Sequence, residues 1–301
     1  NLIIHRTSHI GGHIGSSLGA TDIIVALHHV FGTDNAQFVF DISHQSYAHK
    51  ILTGRHQGFI DENQFHTVSG YSNPDESTHD PFHLGHASTS LSLTAGLMIG
   101  RDLQHKTQPI VTMIGDGALS GGEAYEALNH LATMSSQCLI IINDNEQSIA
   151  ENHGGLYSHL QQLRDTHGES PNNLFKALGF SYRYVDDGNS LESLIHALKN
   201  CKDETTPTVL HIHTTKGHGY DKAIANPEGF HNPSGFDIDT GETKKRYTNS
   251  YESIVAKQLI ETLDQNKAAC IVTAATPGGF CLTKDIREKL GAQYIDVGIA
   301  E

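Results

Sequence analysis

An aspartate between two glycines, followed later in the chain by an asparagine, forms the pattern with the clearest chemical content. The first part reads Ile-Gly-Asp-Gly-Ala and is centred on Asp116, and the second reads Asn-Asp-Asn and ends at Asn145. Asp116 offers a hard anionic oxygen and the Asn145 side chain a neutral one, which suits Mg²⁺. The glycines on either side of Asp116 allow the backbone to approach a phosphate group closely. Gly-Asp-Gly alone is also a common turn, but the two stretches together indicate a site for a metal ion and phosphate.

The predicted elements around this pattern place both stretches at one edge of a sheet. The apolar run of residues 109–114 predicts a strand directly before the motif. A helix is predicted over residues 119–132, with its N-terminus pointing at the phosphate. The almost continuous apolar run of residues 137–142 predicts a second strand, covered on both faces. The chain thereby returns beside Asp116 at the carboxyl edge, where open α/β sheets bind ligands.

Helix and strand patterns alternate along the whole chain, which is typical of a parallel sheet with crossover helices. Further helices are predicted over residues 20–31, 87–101, 173–178 and 190–199, and strands over residues 36–42, 181–185 and 208–213. Residues 216–239 lose this periodicity and indicate an ordered loop. After about Ser250 the pattern restarts, with helices over residues 251–263 and 283–290 and strands over residues 269–274 and 294–297.

These patterns predict a doubly wound, mostly parallel α/β sheet followed by the start of a second α/β domain. We expect the first domain over residues 1–240, a linker over residues 241–250, and the truncated second domain over residues 251–301. The chain has no initiator Met, and it stops directly after a strand-like run. We therefore expect it to be part of a longer protein.

The composition excludes several classes of protein. The net charge of −14 with neutral His argues against nucleic-acid binding through phosphate neutralisation. The sequence has no secretion-type start and no run of about eighteen apolar residues, so we expect no membrane span. The four cysteines stand at neither metal-ligand nor disulfide-framework spacing, which favours reduced thiols in a cytoplasmic protein.

Histidine is unusually frequent, with 22 copies. His5, His9 and His13 are evenly spaced and would align on a helix, which is one way to build a zinc site. Three glycines in and just after this stretch argue against a helix there, and no Cys or carboxylate stands at ligand spacing. A histidine-rich zinc protein is therefore the disfavoured alternative, and it predicts stoichiometric zinc binding and no affinity for a phosphate cofactor.

The Gly-Asp-Gly to Asn-Asp-Asn unit resembles the fingerprint of thiamine-diphosphate enzymes, and further stretches narrow the resemblance. The chain resembles the 1-deoxy-D-xylulose-5-phosphate synthases of the transketolase superfamily. The other stretches that carry the resemblance occur in the family order at residues 12–19, 41–55, 85–90, 216–220, 229–231 and 296–301. Residues 49–55, which read His-Lys-Ile-Leu-Thr-Gly-Arg, are more similar to these synthases than to ordinary transketolases.

The resemblance implies a metal ion and a cofactor. Asp116, Asn145 and the backbone carbonyl of Gln147 would hold Mg²⁺, and relatives often have Met at the last position. Because a carbonyl ligand does not depend on its side chain, Gln147 should serve as well. The residues implied for thiamine diphosphate are His44, Gly85, His86, Ala87, Ser88, Gly115, Gly117, Ala118, Asn145 and Lys216.

The resemblance also implies three catalytic residues. His13 resembles the family histidine close to the reacting carbon, where a neutral imidazole can transfer protons. His231 resembles a second active-site histidine near the substrate. Glu301 resembles the glutamate that hydrogen-bonds the aminopyrimidine ring of the cofactor. For His13 and His44 the alternative is a structural role, in which the ring caps a turn or satisfies a buried backbone group.

The implied activity is the condensation of pyruvate with D-glyceraldehyde 3-phosphate, with decarboxylation, to 1-deoxy-D-xylulose 5-phosphate by a homodimer. Two alternatives stay open. One is transketolase-type transfer of two carbons between sugar phosphates. The other is a catalytically degenerate homologue that binds the cofactor only. Two departures from the family pattern support this second alternative. His218 stands where relatives usually have Arg or Lys, and Ala225 stands where a Lys aligns.

Overall fold

A five-stranded parallel sheet forms the centre of the fold in this computed structural model, which describes residues 1–244 and 250–300. The strands are β1 (Gln37–Phe40), β2 (Ile110–Gly115), β3 (Leu139–Asp144), β4 (Ser181–Val185) and β5 (Thr208–His213). Their order across the sheet is β1-β2-β3-β5-β4, and each adjacent pair is parallel. The prediction of a doubly wound, mostly parallel α/β sheet is confirmed.

Helices cover both faces of this sheet. They are α1 (Leu2–Ile10), α2 (Ile14–Phe31), α3 (Tyr47–Lys50), α4 (Gln57–Ile60), α5 (Ser90–Leu103), α6 (Asp116–Leu119), α7 (Gly122–Leu131), α8 (Gly155–Asp165), α9 (Leu174–Leu178), α10 (Leu191–Lys202) and α11 (Asp221–Ala225). The chain continues from α3 through Ile51–Arg55 with a kink at Thr53 and Gly54, and a 3-10 helix over Glu62–Thr67 follows α4. Helices α2 and α10 pack on one face, and α5, α7 and α8 pack on the other.

The central strand β3 shows why the sheet needs helices on both sides. Leu139 and Ile141 belong to the core on the α2 side, whereas Ile140 and Ile142 belong to the core on the α5 side. None of the four is more than 3% exposed. A strand that is apolar on both faces is stable only where both faces are shielded from water.

Helix α2 is long and apolar enough to cross a membrane by length and composition, and within the described residues it is the one helix that meets this test. In this fold 78% of the segment is buried. Ile23, Ile24 and Leu27 are at most 1% exposed and belong to the core beside the sheet. The length and hydropathy of α2 are therefore explained by its place in the core.

A smaller parallel pair of strands lies in residues 250–300. It consists of β6 (Ile271–Thr273) and β7 (Tyr294–Asp296), accompanied by helices α12 (Tyr251–Gln265) and α13 (Lys284–Leu290) and by 3-10 turns over Pro277–Phe280 and Gly291–Gln293. Ser250 starts α12 with a capping box, in which its hydroxyl accepts from Ser253 N–H at 3.3 Å. The predicted α/β pattern after about Ser250 is confirmed, whereas the division into two domains and its boundaries at residues 240 and 250 stay predictions.

The helix predicted over residues 119–132 is observed as α7, which starts three residues later, and the short helix α6 lies before it. Helix α6 starts at Asp116, directly after β2, and α7 starts at Gly122. Between them the chain is extended at Gly121, with ψ of 147°. An added Cβ at Gly121 would lie 2.1 Å from the Ser88 hydroxyl oxygen. The helical N-terminus nearest the motif is therefore at Asp116 itself.

Two segments predicted to be irregular are helical. The first is α1, which carries both His5 and His9. It ends at Ile10, just before Gly11, whose φ of 82° does not continue a helix. His13 lies beyond this break, so the three evenly spaced histidines do not share one helix. The second is α11, a short helix inside the loop predicted over residues 216–239.

Leu91 and Leu103 lie at opposite ends of α5 and are 0% and 76% exposed. Leu91→Ala should lower the free energy of unfolding by about 2–5 kcal/mol, because it leaves a cavity in the core. Leu103→Ala should lower it by less than about 0.5 kcal/mol. Urea denaturation at one pH measures both changes, and equal losses for the two variants would contradict the described core.

Candidate functional site

A cavity of about 360 Å³ opens at the carboxyl edge of the sheet. Most of its wall comes from the turns that follow β1, β2 and β3, which is where ligands of open parallel sheets bind. Its lining residues in the first part of the chain are His13, Ser16, Asp41, Ile42, His44, Gln45, Tyr71, Gly85, His86, Ala87, Gly115, Asp116, Gly117, Ala118, Asn143, Asn145, Gln147, Ser148, Ile149 and His231. The segments that follow β6 and β7 add Ala274, Ala275, Thr276, Ile299 and Ala300.

Three neighbouring strands each end at a buried aspartate. Asp41 follows β1, Asp116 follows β2 and Asp144 ends β3, and their exposed fractions are 1%, 1% and 0%. Asp41 accepts hydrogen bonds from the backbone N–H groups of Ser88 and Ser90 at 2.9 and 3.0 Å. It therefore ties the turn at residues 85–88 to the end of β1.

Asp144 is compensated by a cation and an imidazole. Its Oδ2 accepts from Arg164 at 2.5 Å and from His211 Nε2 at 2.9 Å. His211 is itself fully buried, and its Nδ1 is 2.8 Å from the Tyr182 hydroxyl. Burial opposes ionisation of Asp144, but the hydrogen bond from His211 and the charge of Arg164 hold its pKa below the ordinary value. Asp144 is therefore the ionised, fixed end of β3.

Asp116 differs from Asp144, because it forms no ion pair within the part of the chain that the structure describes. Its Oδ2 accepts a hydrogen bond from the Asn152 amide at 2.7 Å. Burial and, secondly, the neighbouring charge of Asp144 raise the pKa of Asp116. A bound cation would stabilise the ionised carboxylate at this position.

Two further oxygen donors stand beside Asp116 in the turn after β3. Asn145 and Gln147 both line the cavity, and Asn145 Oδ1 accepts from the Gln147 N–H at 3.2 Å. Glu146 between them has φ of 63°, in the left-handed region. A carboxylate, an amide and a main-chain carbonyl form a donor set that suits Mg²⁺. In residues 1–244 and 250–300 no group of three or more His, Cys, Asp or Glu side chains could hold a metal ion.

The cavity wall leaves room for a phosphate group. At Gly115 and Gly85, which line it, an added Cβ would meet no protein atom within 4 Å. Gly117 is packed closely, because a Cβ there would lie 2.5 Å from the Ser148 hydroxyl oxygen and 3.4 Å from Ile299 Cδ1. The open wall therefore lies next to Asp116, on the side of Gly115.

Three histidine rings meet at the cavity. The ring centroid of His13 is 5.1 Å from that of His44 and 5.5 Å from that of His231. The Nδ1 atoms of His44 and His231 are buried, with no hydrogen-bond partner among the described residues. Burial is the main cause that lowers the pKa of all three rings, and it brings the pKa of His13 to about 4. Neutral rings with unpaired nitrogens are suited to bind a polar ligand and to transfer a proton.

Most of the residues proposed from the sequence converge on this cavity. Those that line it are His13, His44, Gly85, His86, Ala87, Gly115, Asp116, Gly117, Ala118, Asn145, Gln147 and His231. Ser88 and Lys216 lie behind the wall. The Ser88 hydroxyl donates to the Ala118 carbonyl at 2.7 Å, and the buried Lys216 ammonium donates to the Ser148 carbonyl. Glu301 lies outside the described residues, and the role of each of these residues stays a prediction.

Sequence reasoning assigned no role to three residues that shape the site. Asp41 lies in a stretch that carries the resemblance, but nothing in its type marks it as an anchor for a distant turn. Asn152 donates to Asp116, and the Tyr71 ring lies 5.4 Å from the His13 ring. Both reach the site from turns without periodicity, so no local pattern could have identified them.

Comparisons with known proteins support a single family. A family model described as 1-deoxy-D-xylulose-5-phosphate synthase matches residues 1–170. The chain belongs to the 1-deoxy-D-xylulose-5-phosphate synthase family. A second family model, described as the thiamine diphosphate binding domain of transketolase, matches residues 93–274.

Curated relatives match almost the whole chain. The 1-deoxy-D-xylulose-5-phosphate synthase of Alkaliphilus oremlandii is 36% identical over 338 residues, which cover 100% of this chain and 54% of the relative. That of Chlorobium luteolum is 38% identical and covers 97% of this chain and 52% of the relative. The chain therefore spans about half the length of the curated relatives it matches.

Solved transketolase structures share the fold. The enzyme from Campylobacter jejuni gives a TM-score of 0.62 at 20% identity and covers 80% of this chain and 42% of that chain. The enzyme from Leishmania mexicana gives a TM-score of 0.59 at 18% identity and covers 93% of this chain and 47% of that chain. At this identity the likeness shows the architecture, and it carries no argument about substrates.

The His13 ring should titrate near pH 4 instead of near 6.5, because burial and the Lys216 charge both disfavour the imidazolium. Since the pKa is lowered, the ring is neutral throughout the pH range above its midpoint. NMR titration of histidine-labelled protein, with the His13 signal assigned from a His13→Asn variant, measures the midpoint. A midpoint at or above about 6.5, the value for an unperturbed histidine, would contradict the described environment.

Proposed function

We propose that the intact protein condenses pyruvate with D-glyceraldehyde 3-phosphate, with loss of CO₂, to give 1-deoxy-D-xylulose 5-phosphate. The observation that carries the proposal is the charge arrangement in the cavity. There Asp116, which has no ion-pair partner among the described residues, stands beside Asn145 and Gln147 and faces the same space as three neutral histidines. The family match supplies the substrate class.

The residues present fit thiamine diphosphate and Mg²⁺. Asp116, Asn145 and the Gln147 carbonyl would hold the metal ion, and the open wall at Gly115 would receive the diphosphate. Lys216 would add positive charge behind this wall. When bound, the cofactor supplies a nucleophilic carbon for attack on a ketone and an electron sink for decarboxylation.

The chain's own side chains would position the substrate and transfer protons. His13 and His231 would hold or pass on a proton at a ring nitrogen near the reacting carbonyl, since a neutral imidazole carries one N–H donor and one acceptor nitrogen. His44 touches both rings and would fix their orientation. Ile42 would help to exclude water from the cavity. Glu301 would hydrogen-bond the pyrimidine of the cofactor.

The two sheets would bind different parts of the cofactor. Residues 1–240 would form the diphosphate-binding domain, residues 241–250 the linker, and residues 251–301 the start of the pyrimidine-binding domain. Supporting this division, the cavity wall includes residues of both parts, among them Asn145 from the first and Ala275 from the second.

The protein is proposed to act as a homodimer in the cytoplasm, on small-molecule substrates, without nucleic acid or membrane as a partner. The net charge of −14 supports the exclusion of nucleic acid. The homodimer is the state that the family resemblance implies. Light scattering of the intact protein after size-exclusion chromatography tests it.

Asp116→Asn keeps the shape of the side chain and removes its charge. It should weaken Mg²⁺-dependent binding of thiamine diphosphate by more than about tenfold, because the carboxylate is the one anionic ligand proposed for the metal ion. Asp203→Asn, at an exposed position after α10, is the matched control and should bind as the unchanged protein does. Isothermal titration with and without EDTA measures both. Equal affinity in Asp116→Asn would refute the metal assignment.

The intact protein should release CO₂ from pyruvate and form a five-carbon keto sugar phosphate when D-glyceraldehyde 3-phosphate is added. A coupled assay for CO₂, with mass analysis of the product, checks both steps. Two-carbon transfer between sugar phosphates without use of pyruvate would establish the transketolase alternative. Cofactor binding without any turnover would establish the degenerate homologue.

A further inference from the structure

A buried arginine joins the smaller strand pair to two turns of the cavity wall. Arg287 lies on α13 and is 7% exposed. Its guanidinium donates to both carboxylate oxygens of Glu228, at 3.0 and 2.8 Å, and to Glu151 Oε2 at 2.9 Å. The Leu282 carbonyl accepts a fourth hydrogen bond at 2.7 Å. A bidentate pair of this kind fixes geometry as well as charge, and its arginine is buried although the side chains of Glu228 and Glu151 are 28% and 40% exposed.

The first of the two turns carries His231 into the cavity. The Glu228 carbonyl accepts from the His231 N–H at 3.1 Å, and the Asn226 carbonyl accepts from the Phe230 N–H at 3.0 Å. These short-range bonds make residues 226–231 a compact unit. A displacement of the Glu228 side chain would therefore move the His231 ring relative to the His13 ring, which lies 5.5 Å away.

The second turn, residues 147–152, is linked to two of the proposed metal ligands, Gln147 and Asp116. Gln147 and Glu151 pair as an isolated antiparallel bridge, and the Ser148 hydroxyl donates to Asn152 Oδ1 at 2.6 Å. Asn152 then donates to the Asp116 carboxylate. Glu151 is thus bridged to one proposed metal ligand and adjacent in the chain to the residue that orients the other.

Helix α13 belongs to the part of the chain that closes the cavity from the other side. Residues 274–276 and 299–300 of this part line the cavity. The Ala275 N–H donates to Asp296 Oδ1 at 3.0 Å, which fixes the first of these segments to the end of β7. A second, more exposed pair, Lys284 with Glu151 at 3.6 Å, lies beside Arg287.

We propose that Arg287 is a positioning residue for the cofactor site. One guanidinium holds the turn at residues 226–231 and the turn at residues 147–152 at a fixed separation, and it seats the smaller strand pair over both. The inference deepens the proposed function and rests on it. Because the turns are held before the cofactor arrives, binding requires less ordering of the wall.

Three variants of the intact protein test this role. Arg287→Met removes the charge and keeps an extended side chain, and Arg287→Lys keeps the charge and loses the planar fork. Arg183→Met is the matched control, because Arg183 lies on β4, its side chain is 43% exposed, and it pairs with Glu204 away from the cavity. Hydrogen–deuterium exchange of the protein without cofactor and the dissociation constant of thiamine diphosphate at saturating Mg²⁺ are measured for each.

In Arg287→Met, amide exchange should speed up at least about tenfold at residues 147–152 and 226–231 and stay unchanged in β2 and β3. The dissociation constant should rise about tenfold, because displaced wall groups no longer meet the ligand in register. Arg287→Lys should give intermediate values for both quantities. Arg183→Met should match the unchanged protein in both.

Unchanged exchange in both turns of Arg287→Met would overturn the proposal. Faster exchange throughout the chain would also overturn it, since that result shows a general loss of stability and no positioning role. Faster exchange in the two turns with an unchanged dissociation constant would refute the link to the cofactor. If the unchanged protein binds no thiamine diphosphate, the proposed function fails, and the exchange data alone then decide whether Arg287 holds the turns.

Discussion

Three carboxylates buried side by side at the carboxyl edge of the sheet set the constraint on which the site depends. A buried carboxylate is stable only where hydrogen bonds or positive charge compensate it. Arg164 and His211 compensate Asp144, whereas two backbone N–H groups donate to Asp41 and burial still raises the pKa of that carboxyl. Within the described residues Asp116 accepts from the Asn152 amide and forms no ion pair, and the charges of Lys216 and Arg164 act on it only from a longer distance. The carboxyl edge of the sheet therefore includes a position, at Asp116, where a bound metal ion would be stabilising.

The turns around this edge adopt backbone conformations that side chains disfavour. Ile42, Ser43, Ser88 and Glu146 have φ of 58°, 75°, 71° and 63°. Such conformations cost about 1–2 kcal/mol each and persist where surrounding contacts dictate them. The hydrogen bonds of Asp41 to the turn at residues 85–88 are contacts of this kind. Four of the eight non-glycine residues with positive φ among the described residues therefore lie in the turns around this edge.

The sheet and the outline of the site could be predicted from the sequence, because both follow from local patterns. The strands over residues 181–185 and 208–213 lie where the sequence predicts them, and Asp116 and Asn145 come together because neighbouring parallel strands end at one edge. The role of Asp41 could not be predicted, since its partners are 47 and 49 residues away. The Arg287–Glu151 contact joins residues 136 apart. The break before α7 lies at Gly121, where an added Cβ would meet the Ser88 hydroxyl, and no local pattern places Ser88 beside Gly121.

The central claim is that Asp116, Asn145 and Gln147 hold the metal ion that ties a diphosphate to this edge. Anomalous diffraction from crystals of the intact protein grown with thiamine diphosphate and Mn²⁺ tests it most directly. The account predicts a peak about 2.1 Å from an Asp116 carboxylate oxygen, the Asn145 side-chain oxygen and the Gln147 carbonyl, with the diphosphate over Gly115. A peak at the histidine cluster or on the surface, or a diphosphate bound away from Gly115, would contradict it.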